Sequence, residues 1–283
     1  MSISIIIVTY NSSQKIVRLL HSIGGQLGNH KINVIIVDNN SIDKINLQNK
    51  IQKIKHKNYK LFLYLRRKNY GFGNSCNYGA HHTLDPYLLF LNPDTKLLPS
   101  SISILLKHLI SSKSQIIGGK SVTFDNKIIH RTVFNKPSPT DLLFEFSNVG
   151  KLLRKHGNFY IDQNNLVQDT VVGGVGGAYL LIKSKIFSKL GGFDKKIFMY
   201  LEDVDLCNRA TKLGYKISYC PHSIILHEGG ASSDNKYHIH HKSWYESREY
   251  YTRKYFSRWI SIPINIIFKI ERLLLNLRLL ILQ

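Results

Sequence analysis

Acidic residues are scarce in this chain of 283. Eighteen Asp and Glu stand against 39 Lys and Arg, a formal net charge of +21. A chain so basic should meet something anionic: nucleic acid, a phosphate-rich ligand or an acidic membrane face. Cysteine is scarcer still. Cys76, Cys207 and Cys220 are odd in number and widely spaced, with no Cys-x-x-Cys pair. Neither a disulfide framework nor a cysteine zinc site is indicated, and a reducing compartment is expected. No uncharged apolar run approaches the ~20 residues that span a bilayer. Ile3 to Val8 is too short for a signal segment and lacks a basic flank. The expectation is a protein made and kept in the cytoplasm.

Nucleotide-binding fingerprints are missing too. No glycine motif follows the first apolar run. Gly71-Phe72-Gly73 comes two strand signals later, with Cys76 where the third glycine would stand. A dinucleotide dehydrogenase is therefore not indicated, and there is no P-loop. Zinc-finger, homeodomain and RNA-binding patterns are absent, so nucleic acid is not the expected partner. Internal repeats and low-complexity linkers are absent. Hydrophobic residues make up 43% of the chain, enough for a large core.

What is present is a rhythm. Ile3–Thr9, Asn33–Asp38, Lys60–Leu65 and Tyr87–Leu91 are apolar runs that read as buried strands. Helix signals lie between them: Ser12 or Ser13 to about Gln26, a stretch opened by Ser41, a turn into Ser75–His82, and Pro99-Ser100-Ser101 opening another. This alternation predicts an α/β fold with a mostly parallel central sheet flanked by helices. Afterwards the rhythm breaks. Ile116–Ile129 reads as a hairpin turning at Asp125-Asn126, and residues 134–170 as a long irregular loop. Gly176–Ile182 reads as a strand, and Asp203–Leu213 as a helix stopped by Gly214. Lys216–Tyr219 and Ser223–Leu226 read as two short strands, and the last 40 residues as helical.

Ligands of open α/β sheets collect at the carboxyl ends of the strands. There the polar punctuation falls: Thr9-Tyr10-Asn11, Asp38-Asn39-Asn40-Ser41, Arg67 to Gly73, and Asn92-Pro93-Asp94. Any one of these clusters is a turn; four on one edge make a crevice for a polar ligand. Further on, Glu202, Asp203 and Asp205 gather three of the chain's few acids within four residues. At a helix start they suit the dipole; in a crevice they suit proton transfer.

The stretches IIIVTYNS, VIIVDNNS, NYGFGNSCNYG, LLFLNPD, GGAYLLIK, GGFDKKIFMYLEDVDLCNRATKLGYKI and HEGGAS run in order from near residue 3 to about 233. In these the chain resembles the family 2 inverting glycosyltransferases of GT-A fold, and within them the bacterial rhamnosyltransferase-like group. The resemblance implies a nucleotide-sugar pocket made by Thr9, Tyr10, Asn11, Asp38, Asn40, Asn69, Gly71, Gly73, Asn74, Asn92, Asp94, Gly177 and Ala178. Asp38 would accept from the donor's pyrimidine, and the glycines would let the backbone approach donor and acceptor. Asn92-Pro93-Asp94 stands where the family has its metal-binding Asp-x-Asp, with Asn in place of the first acid. Asp94, with His227 of HEGGAS, would hold Mg²⁺ or Mn²⁺, as oxygen-seeking divalent ions with few protein carboxylates do. Asp203 would be the catalytic base, supported by Glu202. The implied partners are a dTDP- or UDP-sugar, with dTDP-L-rhamnose preferred and UDP-hexose or UDP-N-acetylhexosamine as alternatives, and a glycan or lipid-linked oligosaccharide acceptor, as in O-antigen or capsule synthesis. A non-catalytic sugar-nucleotide or polyanion-binding protein on the same fold is the reading from another class; intact Glu202, Asp203 and Asp94 speak against it.

The domain reading is a catalytic unit over residues 1–235 and a basic helical region over 236–283. Within the latter, Asn265, Lys269, Arg272 and Asn276 recur at spacings of four, three and four, a polar stripe on an otherwise apolar helix. Two readings stay open. The helix lies on an anionic surface, placing the protein on the cytoplasmic face of the inner membrane, or it packs on protein, in this chain or a homodimer.

Overall fold

Positions 3–8 are all Ile, Val or Ser, with no polar face, so the first strand must be covered on both sides. In the computed structural model, which describes residues 1–26, 28, 30–54, 58–229 and 237–281, it is. β1 (Ser2–Thr9) lies between β2 (Lys31–Asp38) and β4 (Tyr87–Leu91), with β3 (Tyr59–Leu65) outside β2, all parallel. The crossovers are α1 (Ser13–Gly24), α2 (Lys44–Lys53) and α3 (Phe72–His81). On α1, Ile16, Leu19, Leu20 and Ile23 are buried, the spacing that sets one helix face on the sheet. Registers Thr9↔Asp38 and Asp38↔Leu65 level the carboxyl ends of the first three strands.

The rest of the sheet is mixed. After β5 (Thr95–Leu97) and α4 (Ser101–Ser111) come β6 (Ile116–Val122), β7 (Val133–Phe134), α5 (Pro139–Phe144) and α6 (Val149–Leu153). Then follow β8 (Thr170–Val171), β9 (Gly174–Val175), β10 (Tyr179–Lys183), α7 (Ser184–Lys189), α8 (Glu202–Lys212) and β11 (Ile217–His227). The order is β3-β2-β1-β4-β10-β6-β11-β5, with β8 on β11 and a separate β7-β9 pair. β10 runs antiparallel to both β4 and β6, while β11 runs parallel to β6.

Three expectations need adjustment. The turn at Asp125-Asn126 exists, but its returning arm makes a single bridge among the described residues, Val122↔Ile129, and forms no strand. The long loop holds α5, α6 and a short 3-10 turn at Gln163–Asn165. Pro139 sits in the first turn of α5. There no N–H is needed, and Ser138 and Asp141 form a capping box around it. The two strands read near 216 and 226 are one strand, β11, with a register shift between Cys220 and Ile224.

α9 (Tyr237–Tyr255) and α10 (Arg258–Ile281) close the chain. The boundary expected at 235/236, and Gly230-Ala231-Ser232 of the HEGGAS motif, lie outside the described residues. The two helices share the core of the sheet: Tyr251, Ile264 and Phe268 are buried with Leu206, Phe146 and Val175. Arg248 of α9 is buried, stacks on Tyr245 and Phe268 and pairs with Glu271 of α10 at 2.7 Å. No helix among the described residues is long and apolar enough to cross a membrane.

Candidate active site

The loops after β1, β2 and β3 are tied to one another by short polar side chains. Asp38 is fully buried. Its carboxylate accepts from Thr9 Oγ1 at 3.1 Å, from the Ser41 backbone N–H at 2.9 Å and from the Ser41 hydroxyl. With those bonds made, Asp38 orders the loop, and a donor base would have to displace one of them to reach it. Asn11, at φ 51°, answers from the neighbouring loop. Its N–H donates to Ser41 Oγ, and its side-chain oxygen accepts from the Ile42 N–H, both at 2.8 Å. Tyr10 is half-buried, and Asn40 is exposed with φ 65°.

Asn39, which the sequence reading passed over, is the clamp to the third loop. Its amide donates to Asn69 Oδ1 at 2.6 Å and to the Gly71 carbonyl at 3.2 Å. Its oxygen accepts from the Tyr70 N–H and the Ser75 hydroxyl. Both amide ends are thus satisfied inside a buried turn, as a buried amide requires. The glycines here have protein neighbours close by. A side chain on Gly71, at φ +84°, would begin 2.1 Å from the Phe198 carbonyl oxygen, and one on Gly73 would begin 2.9 Å from Phe193 Cβ. They admit the loop that leads into α8, so their close approach is to protein. Asn74 is half-buried on the first turn of α3.

Asp94 and His227 meet where β4 and β11 end. Both are largely buried, with His227 Nε2 3.2 Å from Asp94 Oδ1 and the Asn92 amide 3.4 Å from the same nitrogen. Ser121 Oγ lies 3.5 Å from His227 Nδ1. Burial opposes ionisation of Asp94. The hydrogen bond and charge of His227, with Lys15 further off, outweigh it and hold the carboxyl below the usual range. A carboxylate oxygen and an imidazole nitrogen converge there and could hold a divalent ion, the oxygen suiting Mg²⁺ or Mn²⁺ and the imidazole favouring Mn²⁺ of the two. Cations also edge the site from α1. Lys15 pairs with Glu228 at 2.9 Å, and Arg18 contacts the same carboxylate and lies 4.0 Å over Phe124. Sequence reasoning missed these two because only the fold sets α1 beside the end of β11.

The acids of α8 take three different positions. Asp203 is half-buried at the cleft. Its Oδ2 accepts from the Gly177 N–H and its Oδ1 from the Val204 N–H, each at 2.8 Å. Burial raises its pKa, and those backbone donors moderate the rise. Glu202 is buried beside Gly73, and its Oε2 has no hydrogen-bond partner. Burial first and Asp203 second push its pKa up to about 8, so burial favours the protonated form at Glu202 and the two carboxyls titrate as a coupled pair. Asp205 is fully buried and faces away. It pairs with Arg209 at 2.8 Å and Lys254 at 2.5 Å and accepts from the Tyr255 hydroxyl at 2.6 Å, fixing α8 to α9.

Tyr200 and Leu201, just before Glu202, both have φ near the left-handed value (70° and 64°). Such residues cost about 1–2 kcal/mol each and persist only where their surroundings hold them. α9 supplies the hold: Ser247 Oγ donates to the Met199 carbonyl, and the Tyr200 hydroxyl lies 2.7 Å from His240 Nδ1. Trp244 packs edge-on against Tyr200 and Phe146 at the rim.

One strand end joins the two acidic centres. Gly177 donates to Asp203, and the next carbonyl, that of Ala178, accepts from the Asn92 N–H at 3.2 Å. Tyr160, from the segment read as loop, faces Asp203. Burial and then the Asp203 charge push its hydroxyl up to about 12, and Arg131 lies 5.7 Å over its ring.

A mixed sheet with its polar loops at the carboxyl edge, a carboxylate–imidazole pair and a shielded aspartate make up a glycosyltransferase of GT-A architecture. The chain belongs to glycosyl transferase family 2, whose family model matches residues 4–191. Its relatives include the rhamnosyltransferase WbbL of Escherichia coli K12, 28% identical over 240 residues, covering 82% of this chain and 84% of that one. Another is the N-acetylglucosaminyl-diphospho-decaprenol L-rhamnosyltransferase of Mycobacterium tuberculosis, 42% identical over 78 residues, about a quarter of each chain. Among solved structures, the mannosyltransferase PcManGT of Pyrobaculum calidifontis, in complex with GDP-Man and Mn²⁺, is similar at a TM-score of 0.60 and 16% identity. That match covers 94% of this chain and 68% of that one.

Proposed function

We propose that this glycosyltransferase moves a deoxyhexose, L-rhamnose from dTDP-L-rhamnose, with inversion onto a hydroxyl of a lipid-linked bacterial glycan precursor. The names of its two rhamnosyltransferase relatives support the sugar. The observation that carries the reaction is the Gly177-Ala178 strand end, flanked by Asp203 on one side and Asp94 with His227 on the other.

The donor lies along the carboxyl edge of β1 to β4, with its base against the loops that Asp38 and Asn39 hold and its diphosphate toward Asp94, His227, Lys15 and Arg18. Asp94 and His227 would hold Mg²⁺ or Mn²⁺, which supplies charge neutralisation for the leaving diphosphate. Asp203 takes the acceptor hydroxyl proton. As that oxygen bonds to the anomeric carbon from the opposite face, the carbon–phosphate-oxygen bond breaks and its electron pair leaves with the nucleoside diphosphate. The Gly177 and Val204 N–H groups aim the carboxylate, and Glu202, pushed toward its protonated form by burial, leaves the charge where the proton must go. Tyr160 and Arg131 line the acceptor side.

The tail supports an anionic membrane surface as partner. One residue of the polar stripe read from the sequence, Asn265, is buried, and Glu271, outside that stripe, pairs with buried Arg248. Trp259, Ile262, Ile266, Ile270, Leu273 and Leu274 face outward instead. A groove of about 490 Å³ beside them is lined by Arg253, Arg258 and Lys269. Apolar side chains rimmed by cations suit the interface of an anionic leaflet, in keeping with work on the cytoplasmic face.

A panel of nucleotide sugars with Mg²⁺ or Mn²⁺ tests the reading through nucleoside diphosphate release and thermal shift. dTDP-L-rhamnose should stabilise the protein most. Stabilisation by a UDP-sugar alone would overturn the donor, and silence across the panel would overturn the activity.

A further inference from the structure

The sequence offers no cysteine pair for a metal, yet the fold assembles one cysteine with two other donors far from the cleft. Cys220 lies in β11, His108 in the last turn of α4, and Asp169 just before β8. Antiparallel pairing of β8 with β11 (Tyr219↔Thr170) brings Asp169 alongside Cys220, and α4 packs over the same strand. The Cys220 Sγ, a His108 ring nitrogen and an Asp169 oxygen all lie within 4.8 Å of one another. His108 Nδ1 is in direct contact with Asp169 Oδ2. Among the described residues this is the one group of three or more such side chains whose donor atoms converge. His222, two residues along β11, adds an imidazole whose ring centre is 6.2 Å from that of His108.

We infer that Cys220, His108 and Asp169 form a zinc site that fastens α4 and the 163–171 segment to β11. A thiolate, an imidazole and a carboxylate are the donor types zinc takes, and magnesium and calcium do not seek sulfur. The site has an inside and an entrance. Cys220 is fully buried, while the side chains of His108 and Asp169 keep 27% and 26% of their exposure. A buried sulfur cannot be offered to a substrate, which sets aside a Cys–His–Asp nucleophile.

On binding, the thiol gives its proton to solvent and sulfur takes the metal in its place. The site is distinct from Asp94 and His227. Seven residues of β11 separate Cys220 from His227, about 20 Å of extended chain.

Cobalt(II) titration of the full-length, metal-stripped protein is the test, because cobalt bound to a thiolate absorbs by sulfur-to-metal charge transfer and cobalt at a carboxylate–imidazole pair does not. The native chain should develop that band with about one equivalent of cobalt, lose it on adding zinc, and rise in Tm with zinc. Asp94→Ala should keep the band, while Cys220→Ser and His108→Ala should lose it. Circular dichroism of the metal-free variants checks that they fold. Absence of the band in the folded native chain, or its persistence in folded Cys220→Ser, overturns the proposal.

Discussion

The two halves of the sheet reach the same cleft by opposite means. From β1 to β4 the strands are parallel, and their end loops are held by neutral side chains, Asn11, Asn39, Ser41 and Asn69, around one buried carboxylate, Asp38. From β10 to β11 the pairing is mixed. The end of the cleft there is held by buried charge: Asp205 with Arg209 and Lys254, Arg248 with Glu271, and Glu202 beside Asp203. On the proposed function, a donor side built from satisfied amides should be rigid, and a catalytic end built from buried acids should be sensitive to both pH and single substitutions.

The sharpest way to break this contrast is at the base. Asp203→Asn should lower turnover about 10²–10⁴-fold with donor affinity little changed, as steady-state kinetics and donor titration would register. In the native enzyme the rate should fall as pH drops through the Asp203 pKa, at a midpoint above the ordinary aspartate range because burial raises it. A midpoint at or below that range would remove Asp203 from the role.

Next is the buried ion network. Asp205→Asn leaves Lys254 and Arg209 without their shared anion and should cost about 3–5 kcal/mol of stability in denaturant unfolding. Asn39→Ala, the matching lesion on the donor side, removes a neutral clamp and should cost about 1–3 kcal/mol. Equal losses would erase the distinction between the halves.

At Asp94 and His227, alanine substitution should weaken donor binding in Mn²⁺ by about tenfold or more while leaving acceptor affinity unchanged. At Glu202 the expected effect is on the pH dependence of stability. Its folded pKa is raised from 4.5 to about 8, so the folded state holds a proton that the unfolded state has released between those values. Stability from this group is present below about pH 4.5 and is lost as pH rises toward 8. Glu202→Gln should flatten that decline, so thermal melts at pH 8 should show the variant gaining on the native protein, with the two closer near pH 5.

For the tail, deletion is a poor tool, since it would strip Glu271 from buried Arg248. Replacing outward-facing Ile262, Ile266 and Ile270 with Ser keeps that pair. The triple variant should lose sedimentation with anionic vesicles; retained binding would refute the membrane reading.

Much of this protein is written locally. The continuous apolar runs at 3–8 and 34–37 demand strands covered on both faces, and the spacing of Ile16, Leu19, Leu20 and Ile23 demands a helix on that sheet. Those periodicities, with the polar residues that end each strand, determined the parallel half and the edge where the polar loops gather. The capping box at Ser138–Asp141 is equally local.

Only tertiary structure decided the rest, because it depends on pairings between distant segments. Antiparallel insertion of β10 beside β4 sets Gly177 against Asp203 and Ala178 against Asn92, a juxtaposition no spacing encodes. The close approach of Phe198 and Phe193 to Gly71 and Gly73 is likewise a tertiary fact. Burial gave Glu202, Asp203 and Asp205, close in sequence, three different surroundings: an unpartnered oxygen, two backbone donors, and an ion network. Pairing of β8 with β11 gathered His108, Asp169 and Cys220 from three elements. Local pattern fixes an element's type and which face it must bury; the charge state and neighbours of a side chain follow from what the rest of the chain packs around it.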